Sequence, residues 1–429
     1  MPAVYAIQMR EDFLHYVWKH QRYDVSGSRT VCGKQLIVLH PGQYLRTSGP
    51  DFFNGRIELD GQIWAGNIEV HIRASDWYLH HHETDPAYDN VILHVVWEHD
   101  VDVFRSDGSV LPVLELRQWI DAADLSRYDE LLRPKHWINC ERQISGVDSL
   151  LITNFFERLL LERLEEKILP LKQLLQELNN DWDVVFFIAL AGGFGLHANG
   201  NAFRNMAHSI PYAVIRREAG DVINLEALFF AQCDLLRGDC AGYRKQLRER
   251  ADYLIAKHQL TRIEGNMPEF FKQRPDNFPT IRLAQIAQLF HREQNLFSNV
   301  ILASAKEIYR QFSTGVSAYW ETHYTFDRTH PPRKKRLTTS FIDLLIINVV
   351  VPLRFLYLEA RTMENSLSVT SLLESLKPEN NTIISRFGSA GVVARNAFES
   401  QALLQLKHQY CDKLRCMECR IGVSLLRPG

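Results

Sequence analysis

The stretch SGPDFFNGRIELDGQIWAGNIEVHIRASDWYLHHHETDPAYDNVILHVVWEHD, Ser48 to Asp100, decides how the N-terminal part of this chain folds. Apolar and polar residues alternate from Arg56 to Asp60 and again from Ile63 to Arg73, the period-two pattern of strands with one buried face. Asp60-Gly61 between them tolerates the positive φ angles of a tight hairpin turn. On the second strand Ile68, Val70 and Ile72 face one way and Glu69, His71 and Arg73 the other, because successive side chains point to opposite faces. Asp51 follows Gly49-Pro50 just ahead of the first strand, so the hairpin is expected to bring it close to Glu69. Val91 to Glu98 reads as a third, more apolar strand that carries His94.

Outward from this core, Lys34 to Leu39, Val101 to Phe104 and Val110 to Leu116 read as further short strands, the last two joined by a hairpin at Asp107-Gly108. A helix is expected from Glu11 to His20. After Pro134 the period turns helical: Leu160, Leu164, Ile168, Leu171, Leu175 and Leu178 recur at three- and four-residue steps, as on one long amphipathic helix that Pro170 should kink. Further helices are expected near 183–195, 203–218, 222–236, 241–258, 280–311, 338–362, 367–376 and 390–416. The expected fold class is α+β. An N-terminal mixed-sheet domain covers 1–130, and a large all-α domain ending in a cysteine cluster covers 131–429.

Of the 429 residues, 46% are hydrophobic and 23% charged, which excludes a disordered tail or a fibre. Lys and Arg total 49 and Asp and Glu 51, so a net charge of -2 supplies no global attraction to nucleic acid or anionic lipid, and such binding needs a local patch. Arg10, Glu11 and Asp12 interrupt the start before any signal-peptide-like apolar segment. Seven cysteines, three of them crowded at the C-terminus, suit reduced thiols or metal ligands, and a cytoplasmic location is expected. The most apolar run, Phe341 to Tyr357, holds Asp343, Asn348, Pro352 and Arg354. A charge at a membrane midplane costs about 2.5–3.5 kcal/mol on insertion scales, so this run is read as a buried core helix, with no membrane partner.

Two carboxylates brought together at a hairpin mouth make a hard oxygen site suited to Mg²⁺ or Mn²⁺. Such an ion polarises a phosphodiester and lowers the pKa of a water. The layout, Gly-Pro-Asp followed by a hairpin and a Glu-x-basic element, resembles the PD-(D/E)xK nuclease superfamily. The resemblance implies a restriction-endonuclease-like N-terminal domain, Asp51 and Glu69 as metal ligands, His71 where a water-orienting Lys is expected, and DNA or RNA as substrate. A neutral imidazole accepts a proton or ligates a metal but is not a fixed cation. That departure leaves open a noncatalytic nucleic-acid or protein interaction module on the same fold. The phrases Pro41-Gly42-Gln43-Tyr44, Ser48-Gly49-Pro50-Asp51-Phe52, Asp85-Pro86-Ala87-Tyr88-Asp89-Asn90-Val91-Ile92-Leu93-His94 and Arg274-Pro275-Asp276-Asn277-Phe278-Pro279-Thr280 also resemble an uncharacterised bacterial family, domain of unknown function number 2851, nearly end to end. That family brings no activity with it.

Around this core, Asp76, His80, His82, Asp85 and His94 are candidate supporting residues. His80 and His82 share a face if their segment is extended. With His71, His94 and Asp85 they offer the alternative of a His/Asp metal hydrolase of a small substrate, using Zn²⁺ or Mn²⁺. Cys411, Cys416 and Cys419 have C-x4-C-x2-C spacing, and Cys140 could complete a four-thiolate site for zinc or an iron-sulfur cluster. Arg274 and Arg282, with Arg333, Lys334, Lys335 and Arg336 in a proline-rich loop, are the candidate contacts to nucleic-acid phosphates.

Overall fold

Helix α1 (Glu11–Lys19) forms because Phe13, Leu14, Tyr16, Val17 and Trp18 gather on a face that is buried, while Glu11 and Asp12 occupy its first turn and Lys19 its last. The computed structural model describes residues 9–45, 49–132, 136–238, 240–362 and 366–426. Met1, Ser48 and Pro134 lie outside them. After α1 come β1 (Leu36–His40), β2 (Gln43–Tyr44), β3 (Phe52–Leu59) and β4 (Gln62–Arg73). The short helix α2 (Asp76–Leu79) and two 3-10 turns, His82–Thr84 and Pro86–Tyr88, lead to β5 (Val91–Glu98) and β6 (Val113–Glu115). The sheet order is β1-β3-β4-β5-β6, with β2 paired to β3. β1, β3 and β4 are antiparallel, whereas β5 runs parallel to β4 and β6 parallel to β5, so the sheet is mixed and the fold is α+β.

The β3–β4 turn forms at Asp60-Gly61, where both residues take positive φ, 48° and 83°. The expected second hairpin forms only in short form: Phe104 and Val110 make a single antiparallel bridge, flanked by the Leu111 N–H on the Val103 carbonyl and the Arg105 N–H on the Ser109 carbonyl, both 2.9 Å, and Val101 to Phe104 is not a continuous strand. Gly108 in the turn takes φ 78°, and Asp107 accepts from the Ser109 N–H at 2.9 Å. β4 is exposed through Ala65 and buried from Gly66 to His71, because β5 flanks it from Asn67 onward. One face of the sheet packs Ile57, Ile68, Val70, Leu93 and Val95 against Phe13, Leu14, Val17 and Trp18 of α1. The other gathers Trp77, Tyr88, Val91, Val96, Val103 and Leu111.

The chain divides into two compact units, residues 1–155 with 406–429, and residues 156–405. This differs from the expected division at 130/131, because Met417 and Leu426 enter the hydrophobic core that also holds Phe13, Tyr128 and Leu131. In the second unit, Tyr212–Glu218 is separate from Leu196–His208, since Pro211 starts a new helix. The expected 280–311 helix is three, Pro279–Arg292, Leu296–Val300 and Ala305–Phe312, the last begun by a Ser304/Glu307 capping box. Near the C-terminus, helix begins at Ala397 and passes into a wider π-helical stretch at Leu406–Cys411. Thr339–Ala360 is long and apolar enough to cross a membrane, and 78% of its most apolar window is buried. Arg354 within it is buried and donates to the carbonyls of Val300, Ile301 and Ala303.

Candidate functional site

Glu69 and His71 lie on the face of β4 away from α1, and both are buried. In the parallel pairing Glu69 stands opposite His94 and His71 opposite Val96, so a second histidine reaches the same face from β5. Asp51 arrives by a different device. Between Phe52 and Gly55 the β3–β4 register slips, with Asn54 at φ 54°, and this bulge leaves Phe52 opposite Ile68. Asp51 therefore meets β4 at Glu69 and Val70: its N–H donates to Glu69 Oε2 at 3.0 Å, and its Oδ2 accepts from the Val70 N–H at 3.1 Å. The two carboxylate residues are interlocked side by side.

Three imidazoles complete this face. His71 Nε2 lies 3.5 Å from Glu69 Oε1, and His82 Nε2 lies 3.6 Å from the same oxygen. His71 Nε2 is 3.1 Å from His80 Nδ1, and its other nitrogen, Nδ1, is 2.9 Å from His94 Nε2. Ligand atoms of His71, His80 and His82 all fall within 4.8 Å of one another. The segment bearing His80 and His82 is not the extended one on which a shared face is conditional, yet the two side chains still converge. His81 between them adopts φ 61°, ending α2 and starting a 3-10 turn, so the chain reverses around it and both neighbours turn inward. His82 is stacked on Tyr88 with ring centroids 3.7 Å apart, and Trp77 packs edge-on against His82.

Burial governs the electrostatics. It pushes the Glu69 carboxyl up, and the neighbouring charge of Asp51 adds to this, against the Asp51 N–H bond that favours the anion. His71 is pushed down to about 3, first by burial and then by His82, His80 and His15. His82 falls to about 4 through burial and His80, and His94 falls well below its ordinary value through complete burial and then His71. Tyr88 rises to about 12 through burial, then Glu69 and Asp51. His71, His82 and His94 are thus neutral at pH 7, each with a lone pair available to ligate or accept a proton.

Two of the candidate supporting residues serve the backbone. Asp76 accepts from the Arg73 N–H at 2.9 Å, and Asp85 caps the second 3-10 turn by accepting from the Ala87 N–H at 2.9 Å. The structure also brings in residues that the sequence pattern did not single out. His15 Nε2 lies 3.1 Å from Asp51 Oδ2, and Tyr44 Oη lies 3.3 Å from His15 Nδ1. Glu11, one helical turn before His15, is close enough for burial and Asp51 to raise its carboxyl pKa, with His15 opposing them. The i,i+4 spacing of Glu11 and His15 was the available signal.

The basic candidates lie in the second unit, where Arg274, Arg282, Arg333, Lys334, Lys335 and Arg336 line a cavity of about 330 Å³ together with Asp276. Two of them need correction as free phosphate contacts. Arg282 is buried, donates to Gln285 and Asn277, and sits 3.5 Å from the centre of the Phe341 ring. Lys335 is buried, and its ammonium donates to the carbonyls of Trp320 and His323. Both sit where helix and loop carbonyls or aromatic faces desolvate them. Arg333 is exposed but bridged to Asp276 at 3.1 Å; Arg274, Lys334 and Arg336 are exposed.

The family model described as "Protein of unknown function (DUF2851)" matches residues 11–382. That span contains every residue of the carboxylate and imidazole site and stops before the last three cysteines. No curated protein and no solved structure matches the chain.

Proposed function

We propose that this chain, which belongs to the family of unknown function DUF2851, is a divalent-metal-dependent phosphodiesterase of the nuclease kind, with its centre at Asp51, Glu69 and His71. The observation that carries the reading is the buried Glu69 carboxylate, interlocked with Asp51 and faced by His71 and His82 at 3.5 and 3.6 Å. Asp51 and Glu11 bear its own sign, and both raise its pKa. The two imidazoles that face its Oε1, of His71 and His82, are held neutral, so they offer it no counter-charge. A buried carboxylate in that position either keeps a proton or meets a cation. The donor set fits a cation.

Glu69 and His71 would hold the ion, with Asp51 beside Glu69 and His80 and His82 within reach. Carboxylate oxygens alone suit Mg²⁺, whereas imidazole in the same set moves the preference towards Mn²⁺ and later first-row ions. When bound, such an ion supplies polarisation of a phosphoryl oxygen and a lowered water pKa. In the tautomer that would ligate, His71 Nδ1–H donates to His94 Nε2 and the His71 Nε2 lone pair faces Glu69. His15 against Asp51 Oδ2 holds the other carboxylate in place. A restriction-endonuclease-like fold is part of this reading; it is supported by Asp51 and Glu69 meeting across the β3–β4 hairpin.

The test is cleavage of end-labelled single- and double-stranded DNA and RNA by chelator-treated protein given Mg²⁺, Mn²⁺ or Zn²⁺. Cleavage with Mn²⁺ should exceed that with Mg²⁺ and fall by at least about a hundredfold in Asp51→Asn and in Glu69→Gln, about the loss of one transition-state charge contact. Absence of cleavage with every metal, together with calorimetric Mn²⁺ binding that both substitutions leave unchanged, overturns the proposal. A second reading is favoured by one observation, the three imidazoles within 4.8 Å of one another. It is a zinc-type hydrolase of a small phosphate or ester, for which one equivalent of Zn²⁺ should be lost in His80→Ala and His82→Ala while nucleic acids stay intact.

A further inference from the structure

The four cysteines Cys140, Cys411, Cys416 and Cys419 come from opposite ends of the chain and belong to the same compact unit. They line a single small cavity with Leu131, Tyr410 and Gly422, and all four are thiols rather than disulfides. The backbone around them is shaped by its own turns. The N–H groups of Gln143 and Ile144 both reach back to the Cys140 carbonyl, at 3.0 and 2.8 Å. Leu414 takes φ 54°, reversing the chain after Cys411, and the Cys419 N–H donates to the Arg415 and Cys416 carbonyls at 3.2 and 3.3 Å. The helix Arg420–Leu426 starts directly after Cys419. A Cβ at Gly422 would lie 2.2 Å from the Cys416 oxygen, so only glycine lets this helix pass the Cys416 loop. Asn139 Nδ2 donates to Cys416 Sγ at 3.6 Å, the kind of contact that steadies a thiolate ligand.

Four thiolates converging on one cavity suit two kinds of centre, a tetrahedral zinc and an iron-sulfur cluster.

We infer that Cys140, Cys411, Cys416 and Cys419 are the four thiolate ligands of one metal centre, a zinc ion or an iron-sulfur cluster, that ties residues 406–426 to the rest of the α+β unit. Met417 and Leu426 already enter that unit's core beside Phe13, Tyr128 and Leu131, and metal–thiolate bonds would fix the same junction. The inference is independent of the reading of Asp51 and Glu69.

The test uses the full chain, purified without oxygen and then loaded either with zinc or with ferrous iron and sulfide. One zinc per chain, or two or four irons with a matching amount of acid-labile sulfide and a broad dithionite-bleached absorbance near about 400 nm, is expected, and the two results tell zinc from a cluster. The bound metal should fall at least about fivefold in Cys411→Ser and in Cys416→Ser but stay at the parent level in Cys32→Ser, whose residue is exposed and outside the cavity. The parent carries the test even where a variant fails to fold. Parent that binds neither zinc nor an iron-sulfur cluster overturns the inference. So does metal retained at the parent level by both cavity variants.

Discussion

Acid should loosen the strands that carry the site, and His71 sets how much. Burial first, and then His82, His80 and His15, hold its folded pKa at about 3, against about 6.5 in an unfolded chain. The folded value is the lower one, so the unfolded state takes up the proton first. The stability contributed by neutral His71 is complete above about pH 6.5 and is lost as the pH falls towards about 3. Each unit below 6.5 costs about 1.36 kcal/mol, so about 2 kcal/mol is gone at pH 5, or roughly thirtyfold in the opening equilibrium. That is a large share of the net stability of about 5–15 kcal/mol usual for a folded domain. His82 and His94, also lowered mainly by burial, add in the same direction. The assay is hydrogen exchange read by mass spectrometry on chelator-treated protein, following peptides from Gln62–Arg73 and Val91–Glu98 at about pH 7 and about pH 5, corrected for intrinsic rates. Protection in the parent should fall about thirtyfold more than in His71→Gln, whose side chain does not titrate. Parallel profiles in the two proteins would refute the argument that a buried neutral imidazole sits at the heart of the site.

Three other outcomes follow from packing. Gly66→Ala puts a Cβ 2.5 Å from both the Asn90 oxygen and Ile92 Cγ2, so β4 and β5 must part; a loss of about 1–3 kcal/mol is expected from a clash of this kind, read as a lowered thermal midpoint. Arg354→Met takes the Arg354 donor from the carbonyls of Ile301 and Ala303 and leaves that of Val300 with the Ala303 N–H alone, and should cost about 2 kcal/mol in urea unfolding. Lys335→Met should likewise lower stability by about 2 kcal/mol through its lost carbonyl partners, whereas exposed Lys334→Ala should leave stability within about 0.5 kcal/mol. If Lys335→Met instead melts like the parent and loses salt-sensitive nucleic-acid binding, its burial against Trp320 and His323 has been misread.

The parts of the site legible in sequence are those set by local rules. Alternation along β4 puts Glu69 and His71 on one face whatever surrounds the strand, and Asp60-Gly61 can close the hairpin because both residues tolerate positive φ. The parts not legible depend on pairing. A bulge moves a whole strand's contacts without changing its composition, so the slip between Phe52 and Gly55 that aims Asp51 at Val70 leaves no pattern to read. His81 in the left-handed region is equally silent, since any histidine there is an uncommon conformer with no sequence mark. At Asp107-Gly108 the local turn signal holds, but the arms pair over a single bridge and not as full strands.

His94 shows how far local reasoning reaches into chemistry. On its own strand it reads as a hydrogen-bonded core histidine, and it is one: it is fully buried, with Nε2 2.9 Å from His71. Its Nδ1 is buried with no hydrogen-bond partner among the described residues. The one bond between the two rings couples their protons: for His71 Nε2 to be bare towards Glu69 and His80, as the proposed metal ligand, His71 Nδ1 must donate, His94 Nε2 must accept, and the His94 proton must sit on the unbonded Nδ1. In the opposite assignment His94 Nε2 donates and His71 presents an N–H to Glu69. The core histidine and the residue in front of it therefore share one proton assignment, which a neutron or nitrogen-15 NMR measurement of the two rings reads directly.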